Sequence, residues 1–206
     1  MRLIDISPLI SEDIDVWPGD VPFEGRKSLE IPKGHNIDLG SMTTTFHVGA
    51  HADAPIHYVA GGADAAGLEL GHYYGTCEVI QVDVGRGERV KPDHLSEGPN
   101  AQRVLFKTGT FPDPEDWNDD FAALSPELID HLNDNGVVLV GIDTPSVDLF
   151  DDKVLHTHER LHRHGMSNLE GLVLHGVEPG LYTLAAFPLK IRRADASPVR
   201  AVLIDE

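Results

Sequence analysis

The 206-residue chain lacks the features of disulfide-stabilised and membrane-spanning proteins. It contains one cysteine, Cys77, so an internal disulfide and a zinc site of several thiolates are both excluded. No stretch approaches the ~20 consecutive apolar residues that a membrane-spanning helix requires. Asp5 and Glu12 interrupt the N-terminal segment where a signal peptide needs an apolar core, so a cytoplasmic location is expected.

Basic residues are also scarce: 16 Lys and Arg stand against 34 Asp and Glu, giving a formal net charge of -18 at pH 7 with histidine neutral. A surface this negative repels phosphate backbones and anionic lipid heads, so neither nucleic acid nor membrane is expected as a partner. The charge keeps the protein soluble, and part of it could serve bound cations. The length fits a single domain over residues 1–206.

The predicted elements favour an α/β fold. Ser125 as N-cap, followed by Pro126 and Glu127, predicts a helix that ends at Asn135-Gly136. Buried strands are predicted on both sides of it, so that strand, helix and strand form a unit typical of a partly parallel sheet. The first 75 residues indicate short strands and loops. The predicted strands are 77–84, 103–109, 137–143, 172–174, 182–191 and 198–205, and a second helix is predicted within 154–165.

Three histidines and an aspartate fall within the eleven residues 47–57, HVGAHADAPIH. In an extended strand the side-chain period is two, so His47, Gly49, His51 and Asp53 would face one way. Gly49 would then leave a hollow that could hold an ion between the two imidazoles. Two imidazoles and a carboxylate suit Zn²⁺ better than Ca²⁺ or Mg²⁺. A purely structural cluster is the alternative.

His57 lies beyond Pro55, where the strand is expected to break. It can therefore stand beside a metal as a proton carrier instead of joining it as a ligand, because imidazoles exchange protons near neutral pH.

A second motif, HERLH over 158–162, matches the H-E-x-x-H pattern of zinc proteases. On a helix it would supply two zinc ligands and a glutamate base, Glu159. Gly165 falls where the longer form of this motif has glycine, but Asn168 occupies the place of the third ligand, and an amide oxygen is a weak substitute there. A solvated polar helix face is an alternative interpretation.

The same segment could instead complete the first site, with His158 and Glu170 as further ligands of a two-metal centre. Continuous helix would separate these residues by ~18 Å, so the chain must turn between them, and Gly165 offers a place for the turn. The residues alone do not choose His158 over its neighbours His156, His162 and His164.

Four segments resemble a known family. HVGAHADAPIH (47–57) resembles the H-x-G-T-H-x-D-x-P-x-H signature of the cyclase-like metal-dependent hydrolases. The segments WPGD (17–20), DTPSVD (143–148) and DASPVR (195–200) resemble the kynurenine formamidase branch of that family. The resemblance covers essentially the whole chain and implies a swivelling β/β/α fold with a mixed, partly parallel sheet, and a homodimer. It also implies two divalent ions of the zinc class, with manganese or cadmium as substitutes in a preparation.

By position, the resemblance implies a role for each residue of the site. Asp53 would bridge the two metals, and Trp17 would pack on the ring of the substrate. Ala50 departs from the signature, which has threonine there, and the lost hydroxyl removes a possible hydrogen bond next to the ligands. The implied ligands are His47, His51 and Asp53 for the first metal and His158 and Glu170 for the pair, with His57 as the catalytic acid and base.

The activity implied is hydrolysis of a small molecule, N-formyl-L-kynurenine, to L-kynurenine and formate in tryptophan degradation by the kynurenine pathway. No G-x-S-x-G motif for a nucleophilic serine is present. Three alternatives stay open: a related hydrolase of another cyclic or aryl amide such as isatin, a non-catalytic metal-binding protein, and a zinc protease.

Overall fold

The computed structural model describes residues 1–205 and contains a seven-stranded mixed sheet. In spatial order the strands are β1 (Arg2–Asp5), β13 (Val202–Asp205), β11 (Gly180–Ala185), β5 (Tyr74–Gln81), β7 (Arg103–Lys107), β9 (Leu139–Ile142) and β10 (Ser167–Leu169). The neighbouring strands β5, β7, β9 and β10 run parallel to one another, and the other neighbouring strands are antiparallel.

Three two-stranded sheets and two α-helices complete the structure. The small sheets pair β2 (Glu24–Leu29) with β3 (Leu39–Thr43), β4 (His51–Asp53) with β12 (Ala196–Pro198), and β6 (Arg89–Val90) with β8 (Ala123–Leu124). The helices are α1 (Pro126–Asp134) and α2 (His156–His164), and short 3-10 turns occupy 31–33, 55–57, 65–67, 70–73 and 92–94. None of the helices in residues 1–205 is long and apolar enough to cross a membrane.

The central strands β7 and β9 of the large sheet are buried on both faces, which their sequences reflect. Along β7, Val104 and Phe106 pack with both helices, whereas Leu105 between them packs on the opposite face with Ala52 of β4. The layers are therefore a small β-sheet, the large sheet and the helices. Gly141 in β9 leaves room for the side chain of its cross-strand neighbour Leu105, because a Cβ there would lie 2.4 Å from Leu105 Cδ2. This arrangement confirms the α/β prediction with a partly parallel sheet.

Helix α1 forms where its end signals predicted it. The Ser125 hydroxyl accepts a hydrogen bond from Leu128 N at 3.1 Å, and Pro126 occupies the first turn, where its missing N–H costs nothing. The chain leaves the helix through Gly136 at φ +79°. Helix α2 ends at Gly165 in the left-handed region, so the predicted turn is present and leads directly into β10.

Three of the predicted closing strands differ from the structure. Residues 172–174 form no strand; Leu172 and Leu174 are buried as coil in the core. Strand β11 stops at Ala185, well before 191, and the predicted strand 198–205 is divided between β12 and β13. Apolar runs in the sequence indicate that a segment is buried. They do not distinguish a buried strand from a buried coil, because both have the same composition.

Candidate metal centre and active site

The structure brings together all five predicted ligands in a buried cluster. Three groups of side chains in residues 1–205 have ligand atoms within 4.8 Å of one another; two of the groups consist of these predicted ligands, and both contain Asp53. Asp53 Oδ1 lies 3.1 Å from His47 Nδ1, while Asp53 Oδ2 lies 3.1 Å from His158 Nε2. The first group is His47, His51 and Asp53, and the second is Asp53, His158 and Glu170.

The fold positions these ligands through short backbone pairings. His51 and Asp53 lie on β4, and Glu170 directly follows β10. A reciprocal backbone bridge joins the two segments: His51 N donates to Glu170 O at 3.1 Å, and Glu170 N donates to His51 O at 3.0 Å. Helix α2 supplies His158, whose side chain is buried, whereas His162 one turn later is exposed.

The prediction that His47 and Gly49 lie on an extended strand is wrong. Strand β4 begins at His51, and residues 46–50 form turns and bends. Gly49 has φ +60°, and a Cβ there would meet Pro8 Cγ at 3.1 Å, away from the ligand atoms. Its contribution is its carbonyl oxygen, which accepts a hydrogen bond from His51 Nδ1 at 2.9 Å.

Gly171 allows the two halves of the centre to meet. Its φ is +64°, and a Cβ at this position would lie 2.3 Å from the carbonyl oxygen of Gly49. No side chain fits so close to a backbone carbonyl, so a glycine next to Glu170 is required for that carboxylate to reach His51. No sequence pattern predicted this role for Gly171.

Each of the three histidines in the cluster contacts a partner through the ring nitrogen that faces away from the cluster. His158 Nδ1 contacts Asp148 Oδ2 at 2.9 Å, and His47 Nε2 contacts Asp195 Oδ2 at 3.2 Å. Together with the Gly49 carbonyl on His51, these contacts fix the rings and leave the opposite nitrogens for binding. Asp148 and Asp195 stand in segments that carried the family resemblance, but no role was predicted for either.

Asn168 secures the two ligand carboxylates. Its side-chain Nδ2 donates to Asp53 Oδ2 at 2.8 Å and to Glu170 Oε1 at 3.0 Å. Val147 N adds a further bond to Glu170 Oε1 at 2.8 Å. Asn168 was predicted only as a weak third ligand of a protease motif; here its amide nitrogen positions the carboxylates.

Charges of opposite sign balance one another inside the cluster. Burial alone would lower the pKa of His47, but the carboxylates of Asp53 and Asp195 outweigh it and raise that pKa to about 9. His158 likewise keeps a raised pKa because Asp148, Asp53 and Glu170 outweigh its burial. Burial alone would raise the pKa of Asp53, yet His158 and His47 hold it well below its usual range. A cation binding at the cluster would exchange with these protons.

The donor set fits a divalent cation. Within residues 1–205, His51 Nε2 and Asp53 Oδ1 are buried atoms without a hydrogen-bond partner, although they lie only 3.6 Å apart. Glu170 Oε2 lies 3.2 Å from the same nitrogen. Leaving such groups unpaired costs about 1–3 kcal/mol each, and atoms of this kind that converge on one point are typical metal ligands. Ala50 does not affect them, because its side chain packs into the core.

His57 stands beside the cluster, as predicted, on the 3-10 turn that follows β4. It is partly exposed, and its ring centroid lies 4.4 Å from that of His47. Its Nδ1 is 3.5 Å from Asp195 Oδ2, so the Nε2 atom is the one without a neighbouring carboxylate. The three side chains His47, His57 and Asp195 also form a possible ligand group.

The protease interpretation finds no support in this geometry. His162 is exposed, and it belongs to none of the ligand groups found in residues 1–205. Glu159 is exposed as well and pairs with Arg163 at 3.1 Å, one turn along the helix. Cys77 is not a nucleophile either, because it is buried in β5 and its burial raises the thiol pKa to about 12.

A cavity of about 600 Å³ opens onto the cluster, a size suited to a small organic molecule. Trp17 lines it at the start of a turn in which Asp20 N donates to Trp17 O at 2.9 Å and Gly19 takes φ +97°. Pro18 and Gly19 are the residues that such a turn favours. The ring centroid of Trp117, which also lines the cavity, lies 5.5 Å from that of Trp17 in an edge-on arrangement, so that part of the cavity wall is aromatic.

Comparison with known proteins identifies the family. A family profile described as putative cyclase matches residues 4–149. The chain belongs to this cyclase family. It is 42% identical over 204 residues to the kynurenine formamidases of Bordetella pertussis and Bordetella bronchiseptica, a match that covers 98% of this chain and 97% of each relative. The resemblance inferred from the four sequence segments is thereby confirmed.

Solved structures of cyclase-like proteins share the fold over its full length. A potential metal-dependent hydrolase with cyclase activity matches with a TM-score of 0.83 at 26% identity, covering 100% of this chain and 98% of the other. A predicted metal-dependent hydrolase from Bacillus stearothermophilus gives 0.81 at 26% identity, with 98% and 97% covered. An isatin hydrolase bound to thioisatinate gives 0.81 at 20% identity, with 100% and 93% covered, and so shows the common fold alone.

Proposed function

We propose that this protein is an arylformamidase that hydrolyses N-formyl-L-kynurenine to L-kynurenine and formate, a step of tryptophan degradation. One observation carries the proposal: a cavity that joins a metal-ligand cluster, a partly exposed histidine and an aromatic wall occurs in a chain 42% identical to kynurenine formamidases over nearly its whole length. The cavity of this chain thus has candidate side chains for binding metal, for carrying a proton and for binding an aryl ring, which supports the same activity as in the relatives.

The ligand cluster is proposed to hold two divalent ions, with zinc as the native metal and manganese or cadmium as possible substitutes. Its two groups of ligands, which share Asp53, support a pair of ions, and the imidazole nitrogens favour zinc over magnesium or calcium. Bound there, such ions would supply Lewis acidity, which lowers the pKa of water and stabilises negative charge.

His57 is proposed to carry the proton. With Nδ1 near Asp195, its Nε2 can take a proton from the attacking water and give it to the departing aryl nitrogen. The water oxygen bonds to the formyl carbon, the C–N bond breaks, and the products are the aryl amine and formate with one proton released. Trp17 and Trp117 would bind the aryl ring and keep bulk water from it.

A kynurenine-release assay on the purified protein, before and after chelation, tests this function. We expect release from N-formyl-L-kynurenine that is lost on chelation and restored by added zinc. Isatin is the comparison substrate, since a related hydrolase of a cyclic amide is the alternative. A protein that binds metal but hydrolyses neither compound would contradict the proposal and favour the non-catalytic alternative.

We also propose a homodimer. The β2–β3 hairpin is exposed along both strands, and a two-stranded hairpin is marginally stable by itself. Leu39 and Met42 on β3 are 50% and 63% exposed, an apolar edge that a second copy would cover. Met42→Lys should shift the mass measured by light scattering from dimer to monomer, whereas the control Leu181→Lys, at another exposed apolar site, should not. A monomeric wild type would contradict the proposal.

A further inference from the structure

One basic side chain lines the cavity besides its histidines, and the proposed mechanism does not use it. Lys107 is the last residue of β7 and is half-buried. Among the cavity-lining residues of the described chain it is the only lysine or arginine. In a protein with a formal charge of -18, a cation built into a substrate cavity is a specific feature and not a consequence of composition.

The ammonium group of Lys107 has unused hydrogen-bonding capacity. It donates to the carbonyl oxygen of Val177 at 2.9 Å, which occupies one of its three N–H donors. No carboxylate of residues 1–205 lies within 4.0 Å of it. Lys27 and Lys33 on the surface, in contrast, pair with Asp38 and Glu30. Lys107 therefore differs from these lysines in being half-buried without an acidic partner.

The acidic residue nearest in the sheet does not neutralise Lys107. Phe106 pairs with Ile142, so Lys107 and Asp143 follow at the ends of neighbouring parallel strands. Asp143 instead accepts hydrogen bonds from Thr108 N, from the Thr108 hydroxyl and from Gly109 N, at 2.7–3.0 Å. The positive charge of Lys107 is thus left for an anion within the cavity.

We infer that Lys107 binds the α-carboxylate of the amino-acid tail of the substrate, an inference that rests on the proposed function. In N-formyl-L-kynurenine the formamide would lie at the metal cluster and the ring against the aromatic wall. The carboxylate then requires a cationic partner. A hydrogen bond between an ammonium and a carboxylate is charge-assisted and gives both affinity and selectivity. Lys107 would thereby distinguish amino-acid formamides from simple aryl formamides.

The inference is tested with two substrates and matched variants of the metal-loaded protein. 2′-Formamidoacetophenone keeps the formamide, ring and ketone of N-formyl-L-kynurenine but lacks the amino-acid tail. The measured quantity is the ratio of kcat/KM for the two compounds. Lys107→Met should lower this ratio about 10- to 100-fold, mainly through KM for N-formyl-L-kynurenine. Lys107→Arg should largely keep the ratio, and Lys33→Met, which removes the same charge from the exposed surface, should leave it unchanged.

A binding measurement separates this inference from the proposed function. Trp17 and Trp117 are the only tryptophans, and both line the cavity, so their fluorescence reports ligands that enter it. Lys107→Met should weaken L-kynurenine binding about tenfold or more relative to 2-aminoacetophenone. A wild type inactive on both formamides would contradict the proposed function. Equal effects of Lys107→Met on both ligands and on both substrates would contradict the role of Lys107, whether or not the enzyme is active.

Discussion

The imidazole of His158 connects two buried carboxylates: its Nδ1 lies 2.9 Å from Asp148 Oδ2 and its Nε2 lies 3.1 Å from Asp53 Oδ2. Asp148 also accepts hydrogen bonds from the backbone N–H groups of Thr157 and His158 in the first turn of α2. Burial alone would raise the pKa of Asp148, but these bonds hold it below its usual range. One charged carboxylate thus orients both the helix and the histidine.

The first prediction concerns this carboxylate. Asp148→Asn should weaken metal binding about 10- to 100-fold, because it removes the anionic partner of a ligand histidine. Asp152→Asn is the control. Asp152 accepts hydrogen bonds from Val154 N and Leu155 N just before the same helix but does not contact His158. Competition with a chelating dye measures both affinities. An equal loss in the two variants would show that helix stability, and not ligand orientation, is responsible.

The second prediction concerns the ligand shared by the two groups. Asp53→Asn should remove more bound metal than His51→Ala or His158→Ala, because only Asp53 belongs to both groups. Elemental analysis of dialysed protein gives the stoichiometry. His162→Ala, exposed one turn from His158, should keep the wild-type content. Unchanged metal content in His51→Ala and Asp53→Asn would eliminate the site.

The third prediction separates a proton carrier from a ligand. His57→Ala should retain bound metal and lose about 10²–10⁴-fold in kcat, the usual contribution of general acid–base catalysis. His57 also lies in a possible ligand group with His47 and Asp195, so a role as a metal ligand is the alternative. A loss of metal in proportion to the loss of activity would make His57 a ligand.

The fourth prediction concerns the aromatic wall. Trp17→Ala should raise KM for N-formyl-L-kynurenine several-fold and change kcat less, since aromatic contacts contribute about 0.5–1.5 kcal/mol beyond the burial of area. The kinetic constants for N-methylformamide, which has no ring, should be nearly unaffected by the change. Trp17 also packs against Phe150, with ring centroids 5.0 Å apart. A variant with unaltered KM and a lower melting temperature would make Trp17 a packing residue only.

The fifth prediction distinguishes the formamidase from a zinc protease. Glu159→Gln should leave kynurenine release unchanged, because Glu159 is exposed and contacts Arg163 on the outside of α2. In an H-E-x-x-H protease the same substitution abolishes turnover. Casein cleavage by the wild type that disappears in this variant would reverse the assignment.

The sequence by itself determined the features that depend on near neighbours. Helix α1 has its own start and end signals in Ser125, Pro126 and Gly136, and these act within a single turn of chain. The close placement of His51 and Asp53 was predictable because they lie on one short strand, where alternate side chains share a face. His57 was predictable as separate from them because Pro55 ends that strand two residues earlier.

Only the tertiary structure decided which distant residues complete the centre. His158 joins the cluster, and His162 does not, because α2 packs one face against the sheet and exposes the other. Asp148 contacts His158, which is ten residues away in the chain, and Asp195 contacts His47, which is 148 residues away. Lys107 lines the cavity because β7 ends beside it. Such contacts depend on strand order and layer packing, which leave no periodic pattern in the residues that they bring together.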